Sequence, residues 1–313
     1  MGGNKHLTSQ SNRRTISGSY IALAPEEDHR HILEPGEHEA FYFPFTSPDG
    51  NVFGFMRTLF DQATVLEMMA LHMGGRVWVH QQRTPLPDGQ ITATDASGPS
   101  VALICRAPWQ AWRCVFHSTV REVDGEKALQ AKLDLEFAAT GPPTRYGYGP
   151  YQQAQQDGRL SGRLQVAAEK WTGELLCYRD HSWGQRPMGA AAAWTIASAP
   201  DYFYVVIVEM GDQRVYLGRL TTSDGKSVPV RTPQLAALGE GWQLGDPDAG
   251  MGTWHVKRLA PPLVVHLGPA GEEAVRGAPG PGDIYVDEIG PALFISPEGE
   301  RIVGLLDQAR RLK

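Results

Sequence analysis

Almost every apolar run in this chain is cut by a turn residue before a helix could complete three turns. Phe41 to Phe45 stops at Ser47-Pro48-Asp49-Gly50, and Val52 to Phe60 follows. Thr64 to His72 stops at Gly74-Gly75, Val77 to Gln82 at Pro85 and Asp88-Gly89, and Trp112 to Glu122 at Asp124-Gly125. These runs are rich in β-branched and aromatic residues, and Gly, Pro, Asn and Asp supply the backbone angles that turns require. With 35 Gly and 23 Pro in 313 residues, the breakers suffice to continue the pattern to the C-terminus. Strands and hairpins are the expected elements. Ala131 to Phe137 has the period of a half-buried strand, with Leu133, Leu135 and Phe137 on one face and Lys132, Asp134 and Glu136 on the other.

The stretch Gly141 to Gly162, rich in Gly, Pro, Tyr and Gln, has no apolar period and is expected to be a loop and domain junction. After it, strand patterns resume at Gly173 to Tyr178, Ala192 to Ser198, Tyr202 to Met210, Gln213 to Thr221 and on to Arg301 to Leu306. The expected organisation is a flexible tail over 1–19, one β-domain over 20–155 and a second over 156–313. Many strands at short spacing indicate sandwiches or barrels.

Charge and cysteine usage narrow the partners. The balance of 29 Lys and Arg against 35 Asp and Glu, a net charge of −6 with no basic block, gives no footprint for nucleic acid. No apolar run is long enough to span a bilayer and the first residues are polar, so neither membrane insertion nor a signal peptide is expected. Cys105, Cys114 and Cys177 lack metal or redox spacing and read as small buried thiols. A soluble, reduced, cytoplasmic protein is the expectation.

The densest cluster of chemistry is Tyr178-Arg179-Asp180-His181-Ser182-Trp183-Gly184-Gln185-Arg186-Pro187. On an extended segment Arg179, His181 and Trp183 share one face while Tyr178 and Asp180 share the other. An imidazole beside an indole can move a proton next to a face that stabilises positive charge. The same residues would also suit a structural β-corner. On Tyr202 to Met210 alternation puts Glu209 with Phe203, Val205 and Ile207, where a buried carboxyl would have a raised pKa; at the strand mouth it would simply be wet.

The segment Asp180-His181-Ser182-Trp183-Gly184, preceded by Tyr178-Arg179 and a half-chain of strands, resembles the lipocalin-like AttH/carotenoid 1,2-hydratase superfamily. Its members include carotenoid hydratases, kievitone hydratase and fungal Diels–Alderases. The resemblance implies an all-β fold of two consecutive calycin- or lipocalin-like domains, barrels or sandwiches. It also puts the family's His-x-Trp pair on His181 and Trp183. The family's Tyr-x-Asp pair falls on Ile207-Val208-Glu209, where the Tyr is missing and the acid is Glu.

The resulting expectation is cofactor-independent acid–base chemistry on a C=C bond of an isoprenoid- or polyketide-type substrate, in a cavity at the domain junction. His181, Trp183, Glu209 and Asp180 would be catalytic. Tyr178, Arg179, Tyr42, Trp112, Trp194 and Tyr204 would bind substrate, Trp112 having an aromatic core role as its alternative. A pericyclase and a non-catalytic carrier are the competing readings. His29, His31 and His38 are interleaved with acids in a Pro- and Gly-containing segment and read as a solvated loop, so no metal is assigned; Glu39 and Tyr42 are expected to line the cavity.

Overall fold

The computed structural model describes residues 15–17, 23–86, 95–123, 125–148, 150–185, 191–210, 213–222, 225–268, 273–276 and 279–312. The strands are β1 (Thr15–Ser17), β2 (His38–Thr46), β3 (Phe53–Phe60), β4 (Thr64–Met73), β5 (Arg76–Pro85), β6 (Val101–Ala107) and β7 (Ala111–Glu122). Next come β8 (Ala128–Ala139), β9 (Thr144–Tyr148), β10 (Tyr151–Val166), β11 (Glu169–Gly184), β12 (Ala193–Ala199), β13 (Phe203–Met210) and β14 (Gln213–Thr221). The last are β15 (Ser227–Pro229), β16 (Gln234–Leu238), β17 (Gly241–Asp246), β18 (Met251–Arg258), β19 (Leu263–Leu267), β20 (Glu273–Val275), β21 (Tyr285–Ile295) and β22 (Arg301–Arg311). Two short 3-10 turns, Pro25–Asp28 and Pro247–Ala249, are the only helical elements among the described residues. None is long and apolar enough to cross a membrane.

The fold is all-β, in two barrel-like units. In the first, the order β11-β2-β3-β4-β5-β7-β8-β10 returns to β11, which pairs with both β2 and β10 and closes an eight-stranded barrel. An eight-stranded barrel is just wide enough for side chains to fill it. Phe41, Phe43, Met69, Trp112, Phe116, Leu135 and Phe137 do so. The second sheet runs β1-β14-β13-β12-β22-β21-β18-β17-β16 and curls around its own core of Phe203, Val205, Leu244, Trp254 and Phe294. Its other face packs on the outside of the barrel. Tyr42, Phe55, Met68 and Tyr178 from one side meet Ile196, Tyr204, Val206, Tyr285 and Leu305 from the other.

Two expectations need correction. The stretch 141–162 is not a junction loop: β9 and most of β10 lie there, and the chain passes from one sheet to the other between Gly184 and Ala193. The Gly and Gln residues are accommodated because β10 is held on both sides by β8 and β11, and a Cβ on Gly158 would strike the Phe137 ring and the Ala138 carbonyl. The tail expected over 1–19 contains β1, parallel to β14; its other residues lie outside those described. Cys105, Cys114 and Cys177 are free and buried as expected.

Candidate active site

The β11 strand forms a wall between two compartments, and its alternation distributes the cluster between them. Arg179, His181 and Trp183 turn into the barrel; Tyr178 and Asp180 turn toward the second sheet. The two faces have different chemistry.

On the barrel side, Arg179 Nη2 donates to Asp28 Oδ1 and its Nε donates to Gln156 Oε1 at 3.1 Å. Asp28 also accepts from the Trp109 amide at 2.6 Å and from Trp112 Nε1 at 3.1 Å. This buried set pins the segment preceding β2 into the end of the barrel, where Leu33 joins the core. His181 and Glu39 are buried. Trp183 lies directly opposite Glu39 in the β11–β2 register, so His181 is the diagonal neighbour of that carboxylate. The carboxylate accepts from His181 Nε2 at 2.9 Å and from His31 Nδ1 at 2.7 Å, both at Oε1. Burial works against ionisation of Glu39, but the bonds from the two imidazoles hold its pKa below the usual value. Burial lowers the pKa of His181. The Trp183 ring stacks on His31 at 4.5 Å and lies 4.7 Å from His181.

His31 is therefore part of a structured cluster, not of the expected solvated loop. The approach of Glu39, on β2, is invisible without register. The acid beside His181 was expected from β13. Glu209 does share the face of Phe203, Val205 and Ile207, but its side chain is 38% exposed and pairs with Arg214 Nη2 at 2.5 Å. It sits at the rim of the second sheet. Trp112 is core, packed on Phe41 and Phe43.

On the opposite face, Tyr178 Oη donates to Asp307 Oδ2 on β22 at 2.6 Å. Asp287 on β21 is the diagonal neighbour of Asp307 in the β21–β22 register, and both carboxyls are buried. Burial and the adjacent Asp307 charge push Asp287 well above the ordinary carboxylate range; burial also raises Asp307.

The surroundings are aromatic and apolar. Tyr42 and Tyr204 flank Tyr178 with ring centroids at 6.2 and 5.6 Å, and Trp194 packs on Tyr285 at 5.5 Å. Arg57 reaches across from the barrel to Glu273 at 2.7 Å, and Arg258 donates to the carbonyls of Leu306 and Glu288. Asp180 accepts from Gln155 Nε2 at 2.6 Å and from Gln153 Nε2, and faces away from His181, so it does not orient that ring. Tyr42 Oη, Ser198 Oγ and the Oδ1 atoms of Asp287 and Asp307 are buried without a hydrogen-bond partner among the described residues. Such atoms suit a polar guest, because leaving them unpaired costs about 1–3 kcal/mol each. Of the expected site residues, Tyr42, Tyr178, Asp180, Trp194 and Tyr204 lie on this side. Asp287 and Asp307 had no distinguishing sequence signal: Asp287 is followed by Glu288, and Asp307 stands on a strand that also carries Gln308, Arg310 and Arg311.

Comparisons with solved structures give the same architecture at low identity. An AttH-type protein from Nitrosomonas europaea superposes with a TM-score of 0.61 at 13% identity, covering 91% of this chain and 99% of that one. Kievitone hydratase from Nectria haematococca gives 0.54 at 12%, covering 96% of each chain. CghA in complex with Sch210972 gives 0.53 at 12%, covering 94% and 97%. These likenesses show the fold. No curated protein matches the sequence. Residues 24–232 match the family described as Domain of unknown function (DUF7064), and the chain belongs to that family.

Proposed function

We propose that the chain is a cofactor-independent enzyme that protonates a C=C bond of a hydrophobic substrate between the two sheets, as a hydratase, isomerase or cyclase. One observation carries this reading: the buried carboxyls of Asp287 and Asp307 are diagonal neighbours between the two sheets, with Tyr178 bonded to Asp307, and burial raises both above the ordinary carboxylate range. A neutral carboxylic acid is the group an alkene needs as proton donor near neutral pH, and a desolvated acid pair keeps one available.

Asp287 delivers its proton to one alkene carbon, and the π pair forms the new C–H bond. The cation left on the other carbon faces the rings of Tyr42, Tyr178, Tyr204 and Trp194, whose quadrupoles attract positive charge. Addition of water, with its proton passing to the Asp287 carboxylate, gives hydration and restores the pair. Loss of a proton from a neighbouring carbon to the Asp287 carboxylate, with that C–H pair forming the new double bond, gives isomerisation. Attack by a second double bond of the same molecule, followed by the same loss, gives cyclisation.

The names of the solved relatives, a hydratase and CghA, agree with this range. The resemblance noted in the sequence supplies an isoprenoid- or polyketide-type substrate. The roles first assigned to His181 and Trp183 are not used, because both face into the barrel.

The test is incubation with polyene, prenylated and polyketide alkenes in D2O, followed by mass spectrometry. Deuterium at carbon is expected with the native chain and is lost in Asp287→Asn. A panel neither consumed nor labelled would overturn the reading, and stoichiometric retention of an unchanged alkene would make the chain a carrier.

A further inference from the structure

The cluster at the end of the barrel is separate from that chemistry and has its own. His31, Glu39 and His181 each offer a ligand atom, and these lie within 4.8 Å of one another; His31 Nδ1 and His181 Nε2 both contact Glu39 Oε1. They come from three parts of the chain: the segment before β2, β2 itself and β11. Two imidazoles and one carboxylate converging on one point form a donor set that borderline divalent transition ions take, with positions left for water. We propose that His31, Glu39 and His181 form a binding site for a divalent transition metal of the zinc type.

The surroundings define which ion. Glu39 and His181 are buried and cannot leave the site, whereas the His31 side chain is 25% exposed and gives an ion its approach. Arg30 Nε stands 3.8 Å from Glu39 Oε2, the oxygen away from both imidazoles. That guanidinium opposes a cation held by charge alone. Calcium and magnesium sites depend on oxygen ligands and net negative charge, so this one selects ions that bond strongly to imidazole nitrogen.

As drawn, the two rings can satisfy Glu39 by pointing N–H at Oε1. Metal binding needs each to present a lone pair there, which moves the protons to His31 Nε2 and His181 Nδ1. His181 Nδ1 is buried without a hydrogen-bond partner among the described residues, so no bond at that nitrogen is displaced; the exchange gives up the two bonds to Glu39 Oε1, which bonds to the ion replace. Trp183, stacked on His31, holds the exposed ligand in place.

The test is titration of the full, tag-free chain with Co2+, followed by visible d–d absorption and displacement with Zn2+. One equivalent should give d–d bands of a low-coordinate ion, and Zn2+ should raise the melting temperature as any ligand of the native state does. Changes to outer-shell partners alone cost about 10–100-fold in metal affinity, so loss of a ligand in His31→Ala or Glu39→Gln should cost at least that. His31→Ala lies at the exposed end and decides the matter if Glu39→Gln fails to fold by circular dichroism. Absence of the bands in the native chain, or a spectrum and affinity unchanged in His31→Ala, would overturn the proposal. Neither outcome bears on the Asp287–Asp307 pair.

Discussion

The Tyr178 hydroxyl lies 2.6 Å from Asp307 Oδ2, a bond that joins the barrel wall to the last strand of the chain. Three residues further along the same strand, His181 faces the opposite way and bonds to Glu39. The shift from 178 to 181 is odd, so the pleat alone separates an acid pair from an imidazole cluster by the thickness of one strand.

Asp287→Asn and Asp307→Asn keep the shape of the pair but remove the proton it transfers. Each should lower turnover by about 10²–10⁴-fold, the usual worth of a positioned general acid. Steady-state rates on any substrate found by deuterium labelling check this, with circular dichroism confirming an unchanged fold.

Stability should fall with rising pH in the native chain relative to Asp287→Asn. The folded pKa of the pair lies above that of an unfolded Asp, so the folded state binds the extra proton. Its stabilisation is complete below the ordinary carboxylate pKa and is lost as pH rises through the folded value. The difference in melting temperature between the two proteins, measured from mildly acidic to alkaline pH, should shrink or reverse along that series; a constant difference would contradict it.

Tyr178→Phe removes the donor to Asp307 and leaves a buried acceptor short of a partner. A loss of about 1–3 kcal/mol is expected. Denaturant unfolding should register it as a lower midpoint with unchanged slope.

Asp28→Asn breaks the buried pair with Arg179, which then keeps an uncompensated charge inside the barrel. Removing one partner of such a pair costs about 3–5 kcal/mol. Because Asp28 also accepts from Trp109 and Trp112, the segment carrying His31 should loosen first, seen as faster amide exchange over 24–37 than in the strands.

Glu209→Gln should leave turnover within about twofold and stability within about 0.5 kcal/mol, as for other partly exposed pairs. A large loss of rate would return this carboxylate to the catalytic set.

Local pattern was enough for the strands and for their faces. Turn residues marked most of the hairpins, and alternation correctly divided Arg179, His181 and Trp183 from Tyr178 and Asp180. It failed at 141–162, where Gly and Gln look like a loop but sit between two paired strands that supply the hydrogen bonds and exclude a Cβ. It also misread His31, whose partners are Glu39 and Trp183.

The sequence by itself determined an all-β chain, its charge and the side chains each strand presents to either face, because those follow from the two-residue period of the backbone. Only the tertiary structure decided which acids stand beside which strand: Glu39 at His181, and Asp287 with Asp307 at Tyr178. Pairing partner and register bring together residues far apart in the chain, and no local periodicity encodes that choice.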